Sequence, residues 1–151
     1  MNKYLCFILF LVLNFGALFV GTYLMNSGPT SEWYILLKKA PWTPPGWVFG
    51  FAWSTIMIFF SIFMSLLITR GNTLKFWVLF ALQWCLNVSW NWMFFNRHQI
   101  LFSQIILVVL TCLVGYYLYR SKSYYYSVFI VPYFLWLLVA NSLNLYVVSF
   151  N

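Results

Sequence analysis

Residues 41–53 read Pro-Trp-Thr-Pro-Pro-Gly-Trp-Val-Phe-Gly-Phe-Ala-Trp and separate two long apolar segments. Proline fixes φ and lacks a backbone N–H, so Pro44 and Pro45 prevent a helix from running through Thr43. Proline is well placed in the first turn of a helix, and we therefore predict a new helix that opens at Pro45 or Gly46. A stiff, aromatic connector of this kind is either a lid that rests on a helix bundle or a belt of tryptophans at the membrane interface.

The composition assigns the chain to the polytopic membrane proteins. Of its 151 residues, 64% are hydrophobic, 25% aromatic and 6% charged, which leaves too few charges to cover a soluble domain. A helix needs roughly 20 apolar residues to cross a hydrocarbon core of about 30 Å. The chain has five such runs, at about 4–25, 46–69, 74–95, 100–119 and 124–150. They predict an all-α fold in which residues 1–151 form a single domain, a bundle of five transmembrane helices.

The net charge of +7 does not indicate nucleic-acid binding, because the basic residues lie singly or in pairs at the ends of the spans. Their distribution predicts orientation instead. If all five segments span, five basic residues fall on one side and three on the other: Lys3, Arg70, Lys75, Arg120 and Lys122 against Lys38, Lys39 and Arg97. Since the cytoplasmic side collects basic residues, we expect a cytoplasmic N-terminus in a bacterial cell membrane.

A secretory signal peptide is the alternative interpretation of the first segment, with Lys3 ahead of an apolar run. That run continues to about Met25 without an Ala-x-Ala-like cleavage site, which favours a retained span. The three cysteines lie inside predicted spans, and the single histidine, His98, lies in a short loop without an acid or thiol nearby. We therefore predict no disulfide, no metal site and no cofactor.

Gln83, Asn87 and Asn91 are spaced four residues apart on the third span, so they lie on one face of its helix, and Trp90 lies beside them. Amide side chains within a membrane face the helix bundle or a water-filled cavity. Two interpretations of this row stay open. The amides either form hydrogen bonds between helices or bind a ligand.

The fifth span carries a second row, which runs from Pro132 through Trp136 and Ala140 to Asn144. The early proline predicts a kink, and Ala140 is small enough to admit a neighbouring helix or a flat ligand. The spans hold no charged residue away from their ends, which argues against a proton relay or an ion-coupled transporter. Ser-His-Asp sets, paired carboxylates and phosphate-binding loops are absent from the sequence. The residues therefore predict a site for a large, flat, mostly apolar ligand.

Three motifs together resemble one known family. The first combines Trp33-Tyr34 and Leu37-Lys38 with Pro41-Trp42-Thr43-Pro44-Pro45 and Phe49-Gly50-x-x-Trp53. The second is Gln83-x-x-Leu86-Asn87-x-x-Trp90, followed by Phe94-Phe95. The third is Pro132-Tyr133-x-x-Trp136-x-x-x-Ala140-x-x-Leu143-Asn144. The three motifs are similar to parts of the TspO/MBR family. The first resembles the family's first loop and second helix, the second its third helix, and the third its fifth helix. This family comprises the bacterial tryptophan-rich sensory proteins and the mitochondrial translocator protein, which is also called the peripheral benzodiazepine receptor.

This resemblance covers essentially the whole chain and implies five transmembrane helices around a pocket that the loop after the first helix closes. Family members bind porphyrins, especially protoporphyrin IX, and benzodiazepine-type and isoquinoline carboxamide ligands, and many are homodimers. By motif position, the predicted pocket residues are Trp53, Asn87 and Trp136. Trp90 and Ala140, their neighbours in the two rows, are also predicted to bind the ligand. The motif positions of the lid are Trp33, Trp42, Pro44, Pro45 and Trp47.

The resemblance leaves more than one function open. The leading interpretation is a receptor or sensory membrane protein that binds tetrapyrroles. The alternatives are an enzyme that degrades porphyrin in light, with Trp53 and Trp136 as electron donors, and a transporter of porphyrin or lipid. Animal members also bind cholesterol through a motif that needs a basic residue after its tyrosine, and none follows Tyr146 here. The expected partners are a tetrapyrrole, membrane lipids and a second copy of the chain, but not cholesterol by that route.

Overall fold

The computed structural model describes residues 2–71 and 74–151, and every regular element in these residues is helical. The helices are α1 (Lys3–Leu24), α2 (Glu32–Leu36), α3 (Gly46–Arg70), α4 (Leu74–Asn91), α5 (Ile100–Ser121) and α6 (Val131–Phe150). Two 3₁₀ turns, Gly28–Thr30 and Tyr125–Phe129, and a π turn, Trp92–Asn96, complete the regular structure. The predicted all-α fold is confirmed, and we call residues 25–45, which join α1 to α3, the connector.

Within the described residues, four segments are long and apolar enough to cross a membrane, namely Lys3–Thr30, Gly46–Arg70, Ile100–Ser121 and Tyr125–Phe150. Helix α4 is long but less apolar, because it carries the row of amides. It packs against α1 on one side and α5 on the other, while α1 also packs on α3 and α5 on α6. The chain is thus a multi-pass membrane protein, and α4 completes a bundle of five long helices.

Prolines set two helix starts. Pro45 is the N-cap of α3, which begins at Gly46 as the sequence predicts. Pro132 lies in the first turn of α6, where a proline loses no intrahelical hydrogen bond. The fifth span, predicted at about 124–150, is found at Tyr125–Phe150, where a 3₁₀ turn over residues 125–129 precedes α6. The predicted third span changes from α to π geometry after Asn91.

Aromatic side chains fill the lower core of the bundle, away from the connector. The Phe60 ring centroid lies 5.4 Å from that of Tyr133 and 6.0 Å from that of Phe80. Two polar contacts lie in this core. Gln83 Nε2, in the first residue of the amide row, donates to the Tyr133 hydroxyl at 2.8 Å, and Asn14 Nδ2 donates to Ser61 Oγ at 2.9 Å. These bonds join α4 to α6 and α1 to α3, so this core is tied by both stacking and polar contacts.

The outer faces of the long helices are apolar and exposed. Large hydrophobic side chains line them in every long helix, including Ile8, Val12, Phe19, Ile58, Val78, Leu82, Ile105, Val108, Leu138 and Leu145. Such a surface suits hydrocarbon and not water. At one end of the bundle, the Arg70 guanidinium lies 5.2 Å from the Tyr125 ring centroid, and the Lys75 ammonium donates to the Tyr116 hydroxyl. Cations and tyrosines therefore meet at one membrane interface.

Gly21 allows α1 to approach α4 closely, and substituting it provides a first prediction. A Cβ at Gly21 would stand 2.8 Å from Asn91 Nδ2, whereas a Cβ at Gly16 would meet nothing within 4 Å. We expect Gly21→Val to destabilise the bundle by about 1–3 kcal/mol, the usual cost of overpacking. Thermal unfolding in detergent measures this, with Gly16→Val as the matched control. Equal melting temperatures for the two variants would show that the α1–α4 contact tolerates side chains at Gly21.

Candidate functional site

A cavity of about 610 Å³ lies inside the bundle beneath the connector. Its walls come from α1, α3, α4 and α6, with Leu107 of α5 at the back, and the connector covers one end. Binding sites for small molecules and cofactors have volumes of about 300–1,000 Å³. The cavity therefore has the size of a ligand site, and we take it as the candidate functional site.

Three tryptophans from three helices line the cavity: Trp53 on α3, Trp90 on α4 and Trp136 on α6. Neighbouring rings fix their positions. Trp53 packs edge-on against Tyr133 at 5.9 Å between centroids, and Trp136 packs edge-on against Phe49 at 5.6 Å. Trp90 stacks on Phe94 at 5.6 Å. The three indoles are thus packed against aromatic rings, of which Phe49 and Phe94 also line the cavity.

Two of these indoles carry donors without a protein acceptor. Trp90 Nε1 and Trp136 Nε1 are buried and form no hydrogen bond within the described chain. A buried N–H that lacks an acceptor costs roughly 1–3 kcal/mol. Both nitrogen atoms are enclosed by protein, so the structure does not present these two donors to a ligand in the cavity.

The amide row divides between the two interpretations that the sequence left open. Gln83 lies below the cavity and is bonded to Tyr133, so it joins helices. Asn87 and Asn91 both line the cavity. Asn91 Nδ2 donates to the Asn87 carbonyl oxygen at 3.1 Å, whereas the Asn87 side chain makes no hydrogen bond to any described residue and is 4% exposed. Asn87 therefore offers a free donor and a free acceptor to a ligand.

On α6, the cavity wall is formed by Trp136, Ala140 and Asn144. The Asn144 amide is already engaged with α5, since Nδ2 donates to Gln104 Oε1 at 2.9 Å and Oδ1 accepts from Ser103 Oγ at 3.2 Å. Ala140, with its single methyl group, leaves the space above Trp136 open. Hydrogen bonds to α5 thus hold this part of the wall in place.

The connector supplies the roof, in which Tyr34, Lys39, Thr43 and Pro44 line the cavity. The Lys39 ammonium lies 4.6 Å from the Tyr34 ring centroid and donates to the Ile35 carbonyl oxygen at 3.3 Å. Burial raises the pKa of the Tyr34 phenol above its ordinary value, so the phenol stays neutral at physiological pH. The roof therefore contains one cation and a neutral aromatic ring beneath it.

Four predicted lid residues lie outside the lining. Trp33 stacks on His98 at 4.0 Å and meets Phe94 edge-on at 5.5 Å, so it fastens α2 to the α4–α5 turn. Trp42 Nε1 donates to Ser142 Oγ at 3.2 Å, which fastens the connector to α6. Pro45 is exposed, and Trp47 is 72% exposed. Their assignment to ligand binding stays a prediction, and the structure gives Trp33 and Trp42 contacts that hold the roof in place.

Sequence reasoning missed several lining residues. Lys39 entered only as a charge that sets orientation, yet it faces the cavity while its neighbour Lys38 does not. No signal distinguishes the two lysines, because the connector has no helical period there. Phe49 could have been found, since it precedes Trp53 by four residues on the same helix and therefore shares its face.

Comparison with known proteins gives a consistent result. The family profile described as "TspO/MBR family" matches residues 7–149. Protein CrtK of Rhodobacter capsulatus is 34% identical over 132 residues, covering 79% of this chain and 78% of that protein. The tryptophan-rich protein TspO of Bacillus cereus is 29% identical over 145 residues, 92% of each chain. The tryptophan-rich sensory protein of Cereibacter sphaeroides is 28% identical over 125 residues, 80% of this chain and 77% of that one.

Proposed function

Because this chain belongs to the TspO/MBR family, we propose that it is a membrane receptor that binds protoporphyrin IX or a related tetrapyrrole in the cavity beneath the connector. One observation carries the proposal. Indoles from three helices, Trp53, Trp90 and Trp136, share a single cavity of about 610 Å³. A macrocycle offers the planar apolar faces that such walls stack against, and few other ligands have that area.

Stacking and a few polar contacts would together hold the ring. Each aromatic contact adds about 0.5–1.5 kcal/mol beyond the burial of its area. The free amide of Asn87, which lines the cavity, supplies a polar contact. Smaller ligands of the benzodiazepine and isoquinoline carboxamide type, which the family resemblance implies, would occupy the same walls and compete with the porphyrin.

A titration in the dark tests the receptor function. Protoporphyrin IX is added to the purified protein in nonionic detergent, and the shift of its main absorbance band is followed, with empty micelles as the control. We expect a saturable shift that an isoquinoline carboxamide reverses. A shift that matches the one in empty micelles, with no displacement by the competitor, would show that porphyrin only partitions into detergent.

The alternative of a light-dependent porphyrin-degrading enzyme has one observation in its favour, since Trp53 and Trp136 both line the cavity and indole is readily oxidised. Illumination of the same samples separates the two functions. A receptor predicts equal bleaching of porphyrin with and without protein. Faster loss that needs the protein and oxygen, and that slows in Trp53→Phe or Trp136→Phe, would instead support the enzyme.

A further inference from the structure

We infer that Lys39 binds a carboxylate of the ligand and thereby selects anionic ring compounds over neutral ones. This inference rests on the proposed function, since it names the chemistry by which the same cavity recognises its ligand. Among the described residues that line the cavity, Lys39 is the one with a charged side chain. It lies in the connector beside Thr43 and Pro44, away from the tryptophans of the helical walls.

The Lys39 ammonium has donors to spare. One contact goes to the Ile35 carbonyl oxygen at 3.3 Å, and the Tyr34 ring lies beneath the charge at 4.6 Å. Because an ammonium group has three N–H donors, two remain for a ligand. The lysine residue is half-buried and belongs to the lining of the cavity, so its side chain is available to a ligand there.

Protein carboxylates do not neutralise this charge. Glu32 is the sole acid of the chain and is exposed on α2. No ion pair joins Lys39 to another part of the described structure, and the raised pKa of Tyr34 keeps its phenol from supplying a negative charge. An unpaired cation beside an apolar wall attracts an anion more strongly than it would in water. A carboxylate is the anion that forms strong charge-assisted hydrogen bonds with an ammonium group.

The cavity therefore has two chemically different parts. The helices present flat aromatic surfaces, and the connector presents one positive charge. A ligand with a planar apolar body and an acidic edge matches both parts at once. Protoporphyrin IX, with two carboxylate side chains, belongs to this class, whereas its dimethyl ester keeps the same macrocycle without the charge.

The test compares these two ligands across three proteins in nonionic detergent: the wild type, Lys39→Met and Lys38→Met. Lys38 is the matched control, because its backbone is held by Asn151 while its exposed side chain lies outside the lining. We expect the wild type and Lys38→Met to bind the diacid at least tenfold more tightly than the ester. Lys39→Met should bind both ligands with the affinity that the wild type has for the ester, and its melting temperature should be unchanged.

Each outcome has a distinct meaning. Equal binding of diacid and ester by the wild type, or a preference that persists in Lys39→Met, would overturn the carboxylate site and leave the receptor function standing. Failure of both porphyrins to bind any variant would overturn both. The phosphate of an anionic lipid is a rival source for the anion. If phosphatidylglycerol abolishes the preference for the diacid in nanodiscs, compared with phosphatidylcholine alone, Lys39 is a lipid contact and the inference is wrong.

Discussion

Replacing Trp53 and Trp136 together by phenylalanine is expected to weaken the binding of protoporphyrin IX by roughly tenfold or more. The two indoles lie on different helices and face the same cavity, so a planar ligand contacts both. Each aromatic contact is worth about 0.5–1.5 kcal/mol beyond area burial, and two of them amount to a change of that order in affinity. Phenylalanine keeps the cavity apolar but reduces the stacking area. Absorbance titration in the dark gives the affinity without relying on tryptophan fluorescence, which the substitutions themselves change.

Trp47→Phe is the matched control, since Trp47 is on the same helix as Trp53 but is 72% exposed and outside the lining. We expect it to bind porphyrin as the wild type does. The single variants should each lose part of the affinity, and thermal unfolding should confirm that all four proteins remain folded. Wild-type affinity in the folded double variant would mean that the porphyrin binds elsewhere.

The sequence predicted the helical bundle well because its signals are local. Apolar runs of span length and the proline pair before Gly46 identified four spans and the start of α3. Within the fifth span, the 3₁₀ turn that precedes α6 was not predicted, because residues 124–130 are as apolar and aromatic as a helix would be. Pro132 marks the true start, which only the preference of proline for a first helical turn reveals. The π turn after Asn91 has no compositional signal, and in the structure its Phe94 and Phe95 contact Trp33 and Tyr34 of the connector.

Local patterns predicted the cavity where the chain is periodic, whereas Trp53 and Pro44 were predicted from the family resemblance. Helical spacing placed Asn87 with Asn91, and Trp136 with Ala140, and the structure brings all four to one cavity. The connector has no such period, so adjacent residues differ without warning. Lys39 faces inwards and Lys38 outwards, and Pro44 lines the cavity while Pro45 does not. Directions of this kind come from tertiary contacts, such as those of Trp33 and Trp42, which a single sequence does not reveal.

Trp33→Ala is expected to speed ligand dissociation by roughly tenfold although Trp33 does not line the cavity. Its ring stacks on His98 at 4.0 Å and meets Phe94 edge-on at 5.5 Å, and these contacts hold α2 over the cavity. Two aromatic contacts contribute about 1–3 kcal/mol in total, and losing them makes opening of the connector more frequent. Stopped-flow displacement of bound porphyrin by excess competitor measures the dissociation rate, and limited proteolysis of residues 25–45 measures the opening.

The control for this variant is Leu36→Ala, because Leu36 is on the same short helix but is 74% exposed. It should leave both rates unchanged. His98→Ala should act in the same direction as Trp33→Ala, and the double variant should lose less than the sum of the two, since one stack is removed in both cases. Additive effects would show that Trp33 and His98 act separately. Dissociation and proteolysis at wild-type rates in Trp33→Ala would show that the connector joins two helices without controlling access to the cavity.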